Sequence, residues 1–143
     1  MEDAQITYRG TVYPWHCDHV GHMNVMWYVG KFDEATWNLF QSAGLTPAAL
    51  RDAQRGMVAV DQHIAYQREL HAGDTVTVRS DILEVGEKKL RFRHEMRNNA
   101  TGEVAAVTTL LGVHLDLQTR RACAFAPEVL ARLRAAAGAA VAG

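Results

Sequence analysis

The segment HCDHVGHMN, residues 16–24, concentrates side chains that can bind a metal or act in catalysis. His16, His19 and His22 are spaced by three, with Asp18 between them. Close zinc ligands in proteins are typically about two to four residues apart, so this spacing allows a metal site. A strong zinc motif has a second ligand pair elsewhere, whereas the remaining histidines of this chain stand singly. We therefore expect no metal and no cofactor.

A catalytic interpretation of the same segment starts from Asp18. It precedes a turn at Gly21 and a predicted helix that starts near Val25. The first N–H groups of a helix lack partners within the helix and carry a partial positive charge. The Val25 N–H can therefore hold a carbonyl oxygen as it becomes an oxyanion, while Asp18 attacks the carbonyl carbon or activates water. An aspartate before a helix can also simply cap it, and the spacing alone leaves both roles open.

Residues 25–44 must form the element that positions this segment. Apolar residues recur there at intervals of three and four, and the intervening residues, including Lys31, are polar, which predicts a long amphipathic helix. Asn24 is a suitable N-cap and Gly44 a suitable residue to follow the C-terminus. A short second helix is predicted over 46–54, where Pro47 takes the first helical position.

The rest of the chain alternates with a period of two, which predicts strands. In the first strand, Ile6, Tyr8 and Val12 are predicted to share one face, with Thr7 and Arg9 on the other. A helix starting at Pro127 closes the chain. The predicted strands cover 5–15, 57–70, 74–85, 89–97 and 104–117, and the last helix covers 127–138. Residues 57–70 can form one long strand or a bent pair of strands.

This order predicts an α+β fold in which an antiparallel sheet of about five strands carries one long helix on one face. Residues 104–117 are apolar almost throughout, as expected of a central strand covered on both faces. A sheet of this size leaves its edges open. Pairing of two subunits is the usual remedy, so we expect a homodimer.

The bulk composition limits the classes of function. The net charge of −1 argues against binding to nucleic acid through bulk charge. Two cysteines without a CxxC pair favour a reducing compartment. The N-terminus lacks the features of a secretory signal, and no apolar stretch approaches the roughly 20 residues of a membrane span. We expect one soluble, cytoplasmic domain over 1–143 that binds neither nucleic acid nor membrane.

The stretch YPWHCDHVGHMNVMWYVGKFDEA, residues 13–35, resembles the signature of hotdog-fold acyl-CoA thioesterases of the 4-hydroxybenzoyl-CoA thioesterase-like family. The residues that match it are Asp18, Gly21, His22, Asn24, Tyr28 and the acidic pair Asp33 and Glu34. His16 stands where many members have a first aspartate. The resemblance implies a sheet wrapped around the helix, an acyl-CoA substrate, and a homodimer that can pair further into a homotetramer.

The resemblance also implies roles for single residues. Asp18 matches the position of the family's catalytic carboxylate, and the Val25 N–H would polarise the thioester. His22 would orient the loop or the substrate, and Asn24 would cap the helix beside the reacting groups. The substrate-binding candidates are Tyr28 and His63 for the acyl pocket, and Arg120 and Arg121 for the CoA phosphates. The sequence leaves open a plain core role for Tyr28 and a surface or packing role for His63.

Two other functions compete with hydrolysis of an acyl-CoA. Hotdog hydratases and dehydratases act on enoyl-thioesters, and their signature resembles an aspartate followed five positions later by a histidine. Here Asp18 and His22 are four apart. A non-catalytic acyl-CoA-binding regulator would need an attached DNA-binding segment, and only a handful of residues precede the first predicted strand. Hydrolysis is therefore the leading hypothesis.

Overall fold

A computed structural model of the chain describes residues 4–142. One five-stranded sheet and one long helix form most of it. In chain order the elements are β1 (Gln5–Thr11), a 3-10 turn (Pro14–His16), α1 (Val25–Ser42), α2 (Pro47–Ala53), β2 (Arg55–Tyr66), β3 (Thr75–Val85), β4 (Lys89–Asn98), β5 (Val104–Asp116) and α3 (Pro127–Ala142).

The sheet has the strand order β1-β3-β4-β5-β2, and every neighbouring pair is antiparallel. The buried face of α1 packs against it. Phe32 joins a core cluster with Val78 and Met96, and Phe40 joins a second cluster with Phe92. A sheet packed around one central helix is the hotdog arrangement, so the predicted α+β hotdog fold is confirmed. Its five strands agree in number with the prediction.

Helix α1 begins and ends where the local sequence predicts. The Asn24 side chain accepts a hydrogen bond from the Met26 N–H, which satisfies one of the free donors at the helix start. At the other end, Gly44 has a φ of 89°, a conformation that costs glycine little and other residues much more. The first residue of the helix is therefore Val25, as the catalytic interpretation requires.

The predicted faces of β1 are wrong at its start. Thr7 is buried and Ile6 is exposed, opposite to the prediction. The pairing of β1 with β3 shifts register between Ile6 and Tyr8, and such an irregularity changes which side chains face the core. Thr7 is accommodated inside because its hydroxyl lies 2.6 Å from that of Ser80.

The predicted polar face of α1 is also wrong at Lys31, which is buried. Its Nζ donates to the Tyr8 hydroxyl at 2.9 Å and to the Thr11 carbonyl oxygen at 3.3 Å. These partners come from β1, so the helical period alone does not reveal them. Conversely, Val25 and Val29 are exposed, although the prediction placed them on the buried face.

A chain of hydrogen bonds crosses the core around His94, which is fully buried. The Thr36 hydroxyl donates to the Phe32 carbonyl oxygen and so must accept from the His94 Nε2–H at 2.8 Å. His94 Nδ1 then accepts from the Ser80 hydroxyl, and Ser80 accepts from Thr7. Burial lowers the pKa of His94 to about 3, so the ring is neutral.

The two edges of the sheet are β1 and β2. On β2, Val58 and Val60 are 40% and 58% exposed. Strand β5 is central, as predicted, but from Ala106 onward only alternate residues such as Thr108 and Leu110 are buried, and those between them are partly exposed. The prediction that both of its faces are covered is therefore wrong for the single chain. No helix among residues 4–142 is long and apolar enough to cross a membrane.

Candidate active site

The loop before α1 is built around the Asp18 carboxylate. Asp18 Oδ1 accepts from the Val20 N–H at 2.9 Å, and Oδ2 accepts from Asn24 Nδ2 at 2.7 Å. The Gly21 N–H closes the turn on the Asp18 carbonyl oxygen at 3.0 Å. Gly21 has a φ of 100°, a conformation that favours glycine. The loop is therefore held in one shape by Asp18.

Asn24 connects this carboxylate to the start of α1. Its Nδ2 donates to Asp18, and its Oδ1 accepts from the Met26 N–H. The N–H group of Val25, which lies between Asn24 and Met26, has no hydrogen-bond acceptor among the described residues. A free N–H at the first position of an 18-residue helix, with the helix dipole behind it, can stabilise negative charge.

A cleft of about 350 Å³ opens beside this N–H. The loop and α1 form one wall, and the segment that follows β2 forms the other. The Met23 N–H donates to the Leu70 carbonyl oxygen at 2.7 Å, which fixes the two walls together. The lining residues are His22, Met23, Val25, Tyr28, Tyr66, Gln67, Arg68 and Glu69. The fold thus brings the predicted residues His22, Val25 and Tyr28 to one cleft.

Asp18 and Asn24 lie next to the cleft rather than in its lining. Hydrogen bonds from the Asn24 side chain and the Val20 N–H lower the pKa of the Asp18 carboxyl below its usual range. Asp18 is therefore ionised at neutral pH. Because it stays accessible to solvent, its negative charge remains available at the edge of the cleft.

The interior of the cleft has its own electrostatic character. Burial, and then the negative charges nearby, including those of Glu69 and Asp74, raise the pKa of Tyr28 to about 12. The Tyr28 hydroxyl stays protonated and donates to the Arg68 carbonyl oxygen at 3.2 Å. Glu69 Oε1 lies 3.7 Å from His22 Nε2, so the imidazole and the carboxylate face each other at the mouth.

The three histidines of the loop do not converge. His16 is buried, its Nδ1 accepts from the Tyr13 N–H at 3.0 Å, and its ring lies 4.5 Å from the ring of Trp27. Burial and the charge of Lys31 lower the pKa of His16. His19 is exposed. Within residues 4–142, no three His, Cys, Asp or Glu side chains are arranged to hold a metal ion.

The remaining predicted residues lie away from the cleft of their own chain. His63 is exposed on β2, three positions before Tyr66, so the two side chains leave opposite faces of the strand. Arg120 and Arg121 belong to the turn after β5, where Arg121 accepts from the Asp116 N–H and Asp116 pairs with Arg55. These contacts place the two arginines at the start of β2, whereas the cleft adjoins its end.

Sequence reasoning missed Tyr66 and Glu69. Both are part of the predicted strand region 57–70, and neither belongs to a recognisable motif. The tyrosine ring packs edge to face against Tyr28 at 5.1 Å. The one signal in the sequence is the apolar pattern of β2. This pattern does not reveal the two residues, because the end of β2 comes close to the start of α1 only when the sheet has formed.

The comparison with known families identifies the chain. The sequence profile of the Thioesterase-like superfamily matches residues 12–133, which include the loop, α1, the cleft and all strands of the sheet except β1. The chain belongs to this superfamily. It is thus a thioester hydrolase, and the family match favours hydrolysis over the hydratase and the binding-protein alternatives.

Relatives of this thioesterase carry more specific names. The betainyl-CoA thioesterase of Pseudomonas aeruginosa is 28% identical over 137 residues, which are 96% of this chain and 86% of that protein. The L-carnitine dehydrogenase/betainyl-CoA thioesterase of Agrobacterium fabrum is 31% identical over 116 residues. That match covers 81% of this chain but only 24% of the larger protein.

A solved structure shows the same fold. A Staphylococcus aureus protein in complex with CoA superposes with a TM-score of 0.89 at 22% identity. The match covers 94% of this chain and 85% of that one. The hotdog arrangement is therefore shared over nearly the whole chain.

Proposed function

We propose that this thioesterase hydrolyses an acyl-CoA to a carboxylic acid and free CoA in the cleft beside α1. The observation that carries the proposal is the Val25 N–H, which lacks an acceptor in the described chain and belongs to a residue lining the cleft. A thioester carbonyl oxygen placed against this donor would gain stabilisation as it becomes negative, because the helix dipole acts in the same direction.

Asp18 is the carboxylate that we propose for the attack, as nucleophile or as general base. Both roles need it ionised, which its two hydrogen bonds favour. Attack on the carbonyl carbon gives a tetrahedral oxyanion at the Val25 N–H. Collapse of this intermediate breaks the C–S bond and releases CoA as a thiolate that takes up a proton. Water supplies the second oxygen of the acid, directly or by hydrolysing an Asp18 anhydride.

Three neighbours support this chemistry in the proposal. Asn24 orients Asp18 through its Nδ2 and fixes the helix start through its Oδ1. His22 lines the cleft and orients the loop or the substrate. Tyr28 forms part of the acyl pocket, with its hydroxyl held by the Arg68 carbonyl oxygen.

A proline at position 25 tests the oxyanion donor. Proline has no N–H but is well tolerated at the first position of a helix, and Asn24 already has the extended conformation that precedes proline. We expect Val25→Pro to fold and to lose about 100-fold to 1,000-fold in kcat. Val25→Ala, which keeps the N–H, is the matched control. Equal kcat values for the two variants on an acyl-CoA that the parent hydrolyses would exclude the mechanism.

We further propose that the active unit is a homodimer formed by antiparallel pairing of two β2 edges, with a homotetramer as a higher assembly. β2 has 12 residues, so at about 3.3 Å per residue its ends lie roughly 36 Å apart. Two-fold pairing would bring the start of the partner's β2, with its Arg120 and Arg121, towards the cleft of the first chain. A fully active monomer at micromolar concentration would contradict this assembly.

The names of the relatives decide which substrate to assay first. Betainyl-CoA stands first, followed by a panel of short, long and aromatic acyl-CoA esters with thiol release as the readout. Hydrolysis of none of them would refute the proposed function as a whole. Location in the cytoplasm remains a prediction from the sequence.

A further inference from the structure

Two side chains that line the cleft have no role in the proposed reaction. Tyr66 ends β2, and Glu69 follows three positions later. The ring of Tyr66 is 47% exposed although one side of it packs against Tyr28. The Glu69 side chain is 65% exposed. An aromatic ring and a carboxylate thus lie open to ligands in the same cleft as the Val25 N–H.

The fixed charges around the cleft leave it negative. Arg68 is the cationic residue of the lining, but its Nε donates to Glu103 Oε2 at 2.8 Å, so its charge is compensated. Within residues 4–142, the charged or chargeable groups within 4 Å of the Glu69 carboxylate are two imidazoles, that of His22 at 3.7 Å and that of His71 at 3.8 Å. The raised pKa of Tyr28, caused in part by Glu69 and Asp74, indicates the same negative field deeper in the cleft.

This combination selects one class of ligand. A cation is attracted both by a carboxylate and by the face of an aromatic ring, and the attraction grows when water is displaced. A quaternary ammonium has no N–H to donate, so it needs apolar contact for its methyl groups, which Met23 and Tyr28 can supply. The volume of about 350 Å³ suits a small acyl group.

We infer that Tyr66 and Glu69 form a subsite for the positive charge of a small quaternary ammonium acyl group, next to the thioester that Val25 polarises. The inference rests on the proposed hydrolysis and adds the residues that select the substrate. Glu69 contributes the charge, and Tyr66 contributes the ring against which the methyl groups pack.

A pair of isosteric substrates tests the subsite. Trimethylammonioacetyl-CoA and 3,3-dimethylbutyryl-CoA differ only in a charged nitrogen against a neutral carbon. We expect the parent protein to hydrolyse the charged ester with at least tenfold higher kcat/KM. Glu69→Gln should lower kcat/KM for the charged ester by about tenfold and leave that for the neutral ester unchanged.

Tyr66→Leu should also lower kcat/KM mainly for the charged ester. Glu84→Gln, which removes an exposed carboxylate on β3, is the control and should change neither value.

The alternative outcomes separate the inference from the proposed function. Equal kcat/KM values for the two esters in the parent would overturn the subsite but not the hydrolysis. An equal loss on both esters in Glu69→Gln would also overturn it, because Glu69 would then serve a step common to both, such as positioning His22. Hydrolysis of neither ester would overturn the subsite, and the wider acyl-CoA panel would decide whether the hydrolysis survives.

Discussion

Two clusters of histidine and hydrogen-bonding side chains lie in this molecule, one in the core and one at the cleft. In the core, each ring nitrogen of His94 has a hydroxyl partner, Thr36 on one side and Ser80 on the other. At the cleft, His22 and His71 flank Glu69 at 3.7 and 3.8 Å, distances longer than a hydrogen bond. The core cluster is closed and the cleft cluster is open.

This difference shows that residue type alone does not identify a catalytic group. Ser80 and His94 have the composition of a nucleophile and its base, yet they are buried, and their polar atoms already bond to each other and to the hydroxyls of Thr7 and Thr36. The groups at the cleft can still take a new partner. A closed cluster should therefore affect stability, and an open one should affect activity. The following experiments test this separation, from the largest expected effect to the smallest.

The core cluster should dominate stability. We expect His94→Leu to lower the free energy of unfolding by about 2–4 kcal/mol, because the Ser80 hydroxyl loses its acceptor and Thr36 loses its donor in the core. Chemical denaturation measures the loss. The double change Ser80→Ala with His94→Leu should restore part of it, since the unpaired hydroxyl is then removed. Loss of kcat with unchanged stability would show that the core cluster has a functional role.

The loop beside the cleft should show the opposite behaviour. We expect Asp18→Asn to keep its fold and lose about a hundredfold or more in kcat/KM for an acyl-CoA ester, because the amide cannot attack or accept a proton at neutral pH. Asp52→Asn, an exposed change on α2, is the matched control. Parental turnover in Asp18→Asn would remove this residue from the proposed mechanism and leave it a purely structural role.

The core histidine should also make stability depend on pH. The pKa of His94 is about 3 in the folded chain against 6.5 in the unfolded chain. Below pH 6.5 the unfolded chain binds a proton that the folded chain does not, so stability is fully present above this pH and falls as the pH is lowered towards 3. The contribution is about 1.4 kcal/mol per pH unit.

The measurement is the free energy of unfolding at pH 7, 6 and 5, compared between the parent and His94→Leu. The slope should be smaller in the variant. His63→Gln, which removes an exposed histidine from β2, should keep the parental slope. Identical slopes in the parent and His94→Leu would mean that other groups cause the acid sensitivity.

Metal removal should have the smallest effect. His16 accepts from the Tyr13 N–H, His22 faces Glu69 and His19 is exposed, so the three loop histidines do not converge. We therefore expect chelation to leave hydrolysis unchanged and elemental analysis to find no stoichiometric metal. Stoichiometric zinc or iron together with activity lost on chelation would refute this and would return His16, His19 and His22 to consideration as ligands.

The sequence was sufficient to predict the elements because each has a clear period and clear ends. Helix α1 starts at Val25 because Asn24 caps it, and the strands follow the alternation of apolar residues. The burial of the Thr7 and Lys31 side chains could not be predicted from the period and ends of the elements. Thr7 is buried through a register shift, and Lys31 is buried because β1 supplies its acceptors. In both cases the burial depends on contacts with a neighbouring element, and the periodicity of a single segment carries no information about such contacts.

The residues of the candidate site also differ in whether local sequence or long-range contacts determine their positions. Residues within one short segment, Asp18 to Val25, could be found because local spacing sets their geometry. Glu69 could not, because long-range contacts such as the Met23–Leu70 and Tyr28–Arg68 hydrogen bonds bring its segment to the loop and α1. For His63 the sequence left a pocket role and a surface role equally open, and the structure exposes it on the face of β2 opposite to that of Tyr66. The role of Arg120 and Arg121 in binding CoA likewise depends on the proposed homodimer, and local spacing does not contain that information.

Asn24 restricts which sequences can keep this loop. Serine, threonine and aspartate cap helices about as well as asparagine does. Asn24 donates to Asp18 through Nδ2 and accepts from the Met26 N–H through Oδ1. An ionised aspartate has no donor, and serine and threonine carry donor and acceptor on a single hydroxyl oxygen. Aspartate at this position would place a second negative charge beside the first, and serine is too short to make both contacts. In a designed or diverging sequence, an asparagine before this helix therefore indicates that the carboxylate six positions earlier is still oriented. A serine in its place indicates that the chain has kept the fold but has lost that geometry.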